Sequence, residues 1–244
     1  MMFRLLLGVL LASFAAASFG QSGDATPTRI LFVGNSLITQ SSLPERLERL
    51  AKRLGRNVVA AAETHDDYSL EDHWREGRVQ ARLREGWDYV VLQQGPSARP
   101  EGRRALIRDT KRFSEIAKAA GAKPALFSAW PAQSNVDDFR EAIRSARMAA
   151  EESGAILIPA AETWLRAVSA DGRLRLYRDD VHPAPQGSDL ALLATWFALF
   201  PAGPQEFDEA YATKIGEEVR LQGRRRDALL DAATRALDEP MVLK

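Results

Sequence analysis

Arg29-Ile30-Leu31-Phe32-Val33-Gly34-Asn35-Ser36-Leu37 is the stretch on which the reading of the fold turns. Ile30 to Val33 is an unbroken apolar run, and Gly34 closes it. A run this short, rich in branched and aromatic side chains and ended by glycine, reads as a strand buried on both faces. Directly behind it, Leu43, Leu47, Leu50 and Leu54 recur at the spacing of one helix face, and Gly55 stops the pattern. That is a helix over 43–54. Strand followed by helix is the unit from which parallel sheets are built.

The unit recurs along the chain. Residues 57–62, 88–92, 124–128 and 155–158 are further short apolar runs, the clearest being Asp88-Tyr89-Val90-Val91-Leu92. Helical patterns are expected over 69–83, 101–120, 136–153, 186–200 and 207–237. Five strands separated by helices, each apolar on both sides, predict a parallel sheet covered by helices on both faces. No repeat, low-complexity tract or dividing linker interrupts the pattern. Residues 28–203 therefore read as one three-layer α/β domain, with 204–244 a helical extension packed on it.

Composition narrows the chemistry. The 244 residues are 45% hydrophobic and 27% charged, with 33 basic and 33 acidic side chains and a formal net charge of zero. That is enough apolar content for an ordinary core, and it gives no electrostatic reason to expect a nucleic-acid or anionic-membrane partner. Cysteine is absent, which removes disulfides, thiol nucleophiles, cysteine zinc sites and a lipoprotein anchor. Three histidines, His65, His73 and His182, are the only imidazoles. His65 and His73 fall in no H-E-x-x-H pattern, so no metal is expected. At the start, Met1 to Arg4 carries a positive charge and Leu5 to Leu11 is apolar, running into small residues. This is the pattern of a secretory signal peptide over 1–20, with cleavage after Ala17 or Gly20. The expectation is an exported protein, periplasmic or extracellular, with no membrane span once the leader is removed.

In an open parallel sheet, ligands bind beyond the carboxyl ends of the strands. There the sequence places Gly34-Asn35-Ser36, then Tyr68-Ser69, then Gln93-Gln94-Gly95-Pro96-Ser97, then Trp130, and finally Asp179-Asp180-Val181-His182-Pro183. A serine hydroxyl becomes a useful nucleophile when a base accepts its proton. His182 is the candidate base for Ser36, and Asp179 the candidate to fix its tautomer. Asp180 competes for that role, but adjacent residues on an extended segment point apart, which favours Asp179. Ser36 and Asn35 would also suit an ordinary helix cap. Trp130 is a candidate to stack on substrate or, equally, to pack its own loop. Ser69 and Asp72 form a capping box that makes His73 a structural residue.

The chain resembles the SGNH/GDSL-type serine hydrolases. The resemblance rests on Ile30-Leu31-Phe32-Val33-Gly34-Asn35-Ser36-Leu37, similar to the family's first block, and on Asp179-Asp180-Val181-His182-Pro183, similar to its last. It implies a flavodoxin-like fold and a serine esterase working through an acyl-enzyme, with Ser36 as nucleophile, His182 as general base and acid, and Asp179 as orienter. No cofactor is implied. The middle blocks depart from the family: 66–70 lacks the glycine expected to hold the oxyanion, and Gly95-Pro96-Ser97-Ala98 lacks the asparagine. The Ser36 N–H, Ser97, Gln93 and Gln94 are the candidate replacement donors, with Asn35, Tyr68 and Trp130 as further substrate contacts. The implied substrate is a small-molecule or carbohydrate ester, acetyl by preference. An O-acyltransferase and a binding module without catalysis are the alternatives.

Overall fold

The computed structural model describes residues 26–201 and 208–243. The signal peptide expected over 1–20, and the first residues of the C-terminal extension at 204–207, lie outside the described residues. Five strands, β1 (Thr28–Gly34), β2 (Val58–Thr64), β3 (Tyr89–Leu92), β4 (Lys123–Phe127) and β5 (Ile156–Ile158), form one all-parallel sheet in the order β2-β1-β3-β4-β5. This is the three-layer α/β architecture expected from the sequence.

The run that opens β1 explains both faces of the sheet. Ile30 and Phe32 face one apolar layer, and Leu31 and Val33 face the other, with all four fully buried. Alternate residues of a strand point to opposite faces, so a strand covered on both sides needs apolar residues throughout. The first layer holds α2 (Leu43–Arg53), α7 (Ala160–Ala170), α8 (Pro185–Leu199) and α10 (Gly223–Asp238). The second holds α3 (Leu70–Glu76), α5 (Pro100–Ala119) and α6 (Phe139–Ser153). α8 is apolar on every side because it lies between the sheet, α2, α7 and α10.

Four local expectations are corrected. The helix over 69–83 is broken at Gly77, whose φ of 81° ends α3 before α4 (Arg78–Arg82) begins. The helix over 136–153 starts only at Phe139, after a 3-10 turn over Gln133–Asp138. The pattern over 207–237 is two helices, α9 (Glu209–Val219) and α10, parted where Arg220 takes a φ of 54°. And α7 has no counterpart among the expected helices. β2 also departs from the rule of burial on both sides: as an edge strand with one neighbour it leaves Val59 38% exposed.

The strand order fixes where a ligand can sit. The chain steps from β1 outward to β2 and then returns to lay β3 on the opposite side of β1. The loops after β1 and β3 therefore diverge, and the crevice between them is the switch point of the fold. Ser36 follows β1 and Gln93 follows β3 at that crevice.

Candidate active site

Ser36 opens α1 (Ser36–Gln40), a single short turn directly after β1. Asn35 caps it, with Oδ1 accepting from the Leu37 N–H at 3.2 Å. The Asn35 Nδ2 donates to the Tyr68 carbonyl at 3.1 Å, tying the β1 loop to the loop after β2. The capping geometry leaves the Ser36 N–H without a protein partner among the described residues, beside its own half-buried hydroxyl.

The opposite wall is the segment from Tyr177 to Pro183. Tyr177 and Pro183 pair as an antiparallel bridge, and the Arg178 N–H donates to the His182 carbonyl at 2.9 Å. Asp179 closes the turn from inside: its Oδ1 accepts from the Val181 N–H at 2.8 Å and the His182 N–H at 2.7 Å. Its Oδ2 lies 3.0 Å from His182 Nδ1. The two backbone N–H groups, with the His182 ring after them, hold the Asp179 carboxyl well below the usual carboxylate range. An ionised acceptor at Nδ1 places the imidazole proton there and leaves Nε2 as the acceptor. Nε2 lies 3.1 Å from the Ser36 Oγ. Hydroxyl, imidazole and carboxylate are thus in line, an arrangement that can draw the proton from a serine as it attacks a carbonyl.

Asp180 faces away from His182. Its carboxylate accepts from the Ser134 N–H at 2.7 Å and the Ser134 hydroxyl at 2.8 Å. Two more bonds join the same loops, Gln133 N–H to the Asp180 carbonyl at 2.7 Å and Trp130 Nε1–H to the Val181 carbonyl at 3.1 Å. The Tyr177 hydroxyl donates to the Pro131 carbonyl at 2.7 Å, and burial, with Asp180 nearby, pushes that phenol up from its usual value.

The structure corrects the substrate-stacking expectation for Trp130 and shows what the other expected contacts touch. Trp130 is 1% exposed and stacks on Trp164 with ring centroids 4.2 Å apart, so it supports the His182 loop from beneath and presents no face to a ligand. Gln94 is engaged at both ends of its amide: its Oε1 accepts from the Leu70 N–H at 3.1 Å and one Nε2–H donates to the Ser97 Oγ at 3.0 Å. The Ser97 hydroxyl donates in turn to the Gly95 carbonyl. The Ser97 hydroxyl is therefore not a free oxyanion donor, and the Gln94 amide is held towards Leu70 and Ser97. Gln93 is fully buried, with Oε1 accepting from the Asn35 N–H at 2.9 Å. Tyr68 packs its ring on His65 and His73, with centroids 4.6 and 5.1 Å away. The loop before it lacks glycine but takes the turn glycine favours, with Asp67 at a φ of 62°.

His73 was read as structural, and the Ser69–Asp72 capping box is present around it. Its ring is wholly buried, with Nε2 2.8 Å from the Gly34 carbonyl, and burial pushes its pKa below the usual 6.5. The signal available in the sequence was its place three residues after Leu70, on the same inward helix face. Glu63, His65 and Glu76 bring one potential metal-ligand atom each within 4.8 Å of one another. Arg78 and Arg82 flank these carboxylates, with Arg78 Nε 2.8 Å from Glu76, so the charges are already met by guanidinium groups.

Neither a family model nor a curated protein matches the sequence. Among solved structures, a protein assigned to the SGNH hydrolases from Slackia heliotrinireducens is 32% identical, with 71% of this chain aligned to 100% of that one at a TM-score of 0.62. A DUF4886 family protein from Bacteroides uniformis aligns over 90% of this chain and 98% of its own, at 16% identity and a TM-score of 0.70. An acetyl-xylooligosaccharide esterase from Geobacillus Stearmophilus aligns over 72% and 95%, at 13% identity and a TM-score of 0.56. The last two likenesses are of fold.

Proposed function

The chain belongs to the SGNH/GDSL-type family and is a carboxylic ester hydrolase, and from that premise we propose that it is an exported esterase using Ser36, His182 and Asp179. The observation that carries the proposal is the continuous line from Asp179 Oδ2 to His182 Nδ1 at 3.0 Å and from His182 Nε2 to Ser36 Oγ at 3.1 Å. Ser36 Oγ attacks the ester carbonyl carbon while its proton passes to His182 Nε2. Asp179 steadies the imidazolium through the Nδ1–H bond. The oxyanion of the tetrahedral intermediate lies against the free Ser36 N–H. Collapse expels the alcohol, which takes the proton from His182, and leaves Ser36 acylated. Water, deprotonated by His182, then releases the acid and restores the serine.

A short acyl group on a hydrated alcohol suits this site best. Of the exposed residues on the loops that carry Ser36 and His182 and on the neighbouring β2 loop, Thr39, Gln40, Asp66, Asp67 and Arg178 are polar, with Val181 the apolar exception. A rim of that kind favours hydroxyl-rich partners over a long apolar chain. The acetyl-xylooligosaccharide esterase likeness agrees with an acetylated carbohydrate substrate. The leader pattern over 1–20 supports action outside the cytoplasm.

The test is a p-nitrophenyl ester series from acetate to octanoate with wild type and Ser36→Ala. The acetate should be preferred, the variant should lose about a thousandfold or more in kcat, and a fluorophosphonate should label Ser36. Absence of Ser36-dependent release and of labelling would instead establish a binding module. Ester formation only with an added acceptor sugar would make it an acyltransferase.

A further inference from the structure

We propose that Gln93 and His73 are positioning residues that lock the single peptide plane from which the Ser36 turn departs. The inference rests on Ser36 being the nucleophile, as argued above. The plane is the one joining Gly34 to Asn35. Its N–H end donates to Gln93 Oε1 at 2.9 Å, and its carbonyl end faces His73 Nε2 at 2.8 Å. The His65 N–H adds a longer bond to the same carbonyl at 3.2 Å. Both side chains are wholly buried and come from different elements, Gln93 from the end of β3 and His73 from α3.

The strand order explains why side chains are needed here. Up to Val33, β1 is hydrogen-bonded into its neighbours, and the last main-chain bond towards β3 runs from the Gln93 N–H to the Val33 carbonyl at 2.8 Å. Beyond it the loops diverge at the switch point, and the next N–H, that of Asn35, has no strand to meet. The Gln93 side chain reaches across in place of main chain. Gly34 is part of the device, because a Cβ there would stand 2.3 Å from Gln93 Oε1. The arrangement carries a cost that packing alone does not explain. Gln93 Nε2 and His73 Nδ1 are both buried with no partner among the described residues. Leucine and phenylalanine would fill the same space without those two stranded atoms but would leave the Asn35 N–H unmet and the Gly34 carbonyl with the His65 bond alone, so the retained groups point to a need for these two bonds. Because a nucleophile displaced by about 1 Å can lose about a hundredfold in rate, holding this plane holds the Ser36 to His182 distance.

The test compares Gln93→Leu and His73→Phe with Gln93→Glu and His73→Gln, which keep an acceptor and a donor. Each apolar variant should lower kcat about tenfold to a hundredfold with KM within about threefold, and slow fluorophosphonate labelling of Ser36. The conservative variants should recover most of that loss. The double apolar variant should lose little more than the worse single one, since both bonds restrain one plane. Amide exchange at Asn35, which needs no turnover, should quicken in Gln93→Leu. Folded apolar variants with wild-type kcat, or a loss confined to KM, would overturn the proposal, as would an Asn35 amide equally protected in Gln93→Leu. Wild type without Ser36-dependent turnover would strike the hydrolase reading instead. The exchange measurement would then still decide whether these side chains hold the plane.

Discussion

The two walls of the crevice are built by opposite means. On the Ser36 side, the segment emerges from the central strand of the sheet and is fixed by wholly buried side chains reaching in from β3 and α3. On the His182 side, the groups stand on a surface loop, with the Asp179 side chain 47% and the His182 side chain 29% exposed. That loop is shaped by main-chain bonds and by one carboxylate that closes its own turn. Precision comes from the core on one wall and from local turn chemistry on the other. A polar change on the first wall threatens the fold, and one on the second changes the chemistry while the fold survives.

The sharpest break of that comparison is Asp179→Asn. Both backbone bonds of the turn go to Oδ1, which asparagine retains, so the loop should keep its shape. The Oδ2 position becomes an amide donor facing His182 Nδ1. The ring must then present a lone pair at Nδ1 and carry its proton on Nε2, where it cannot accept from Ser36. We expect kcat/KM to fall about a thousandfold with an unchanged melting temperature. A fall of less than about tenfold would mean that Asp179 acts only as a turn former.

A smaller effect is expected at the clamp between the walls' supports. Asp180→Ala removes both bonds to Ser134 but leaves Gln133 N–H to the residue 180 carbonyl and Trp130 Nε1–H to the Val181 carbonyl. With the Tyr177 hydroxyl to the Pro131 carbonyl counted, three of five ties are left, so the loop should wander without leaving, and kcat should drop about tenfold. Ser134→Ala, which keeps its backbone N–H, should lose less. Equal activity in wild type and Asp180→Ala would show that the main-chain ties suffice.

What could be read in the sequence follows the same division. The strands were legible because residues such as Ile30, Leu31, Phe32 and Val33 must satisfy two apolar layers at once, and that demand is written locally. The residues now found together, Ser36, Asp179 and His182, were legible because the alternation of elements assigns them to one edge of the sheet. Trp130 is open in the sequence between stacking on substrate and packing its loop, because what decides it lies elsewhere in the chain. It is covered by Trp164, which sits on α7, a helix with no counterpart among those expected between β5 and Tyr177. Gln94 and Ser97 were offered as free donors because nothing local reveals that the Leu70 N–H, at the start of α3, claims the glutamine. Roles set by which loops meet across the switch point are absent from periodicity. Gln93 and His73 belong to that class.

His73 also offers the gentlest way to probe the buried wall, through pH. Burial is the main cause that holds its pKa below 6.5; the neighbouring His65 adds to it, while the Gly34 carbonyl, Glu63 and Glu76 oppose it. Asp72 lies beside it on α3, with its own pKa lowered by Ser69. As pH falls below 6.5, the unfolded chain takes up a proton at this position before the folded protein does. Stability from this group is therefore complete above 6.5 and declines as pH drops towards the depressed folded value. His73→Gln keeps a donor and cannot titrate, so other ionising groups cancel when the two proteins are compared. The stability advantage of wild type over the variant in urea unfolding should be larger at pH 7.5 than at pH 5.5. An advantage that stays constant across that interval would mean that the imidazole is reached by water and titrates alike in both states. In that case the Gly34 carbonyl would be held by a ring far less enclosed than the packing of Tyr68 and α3 requires.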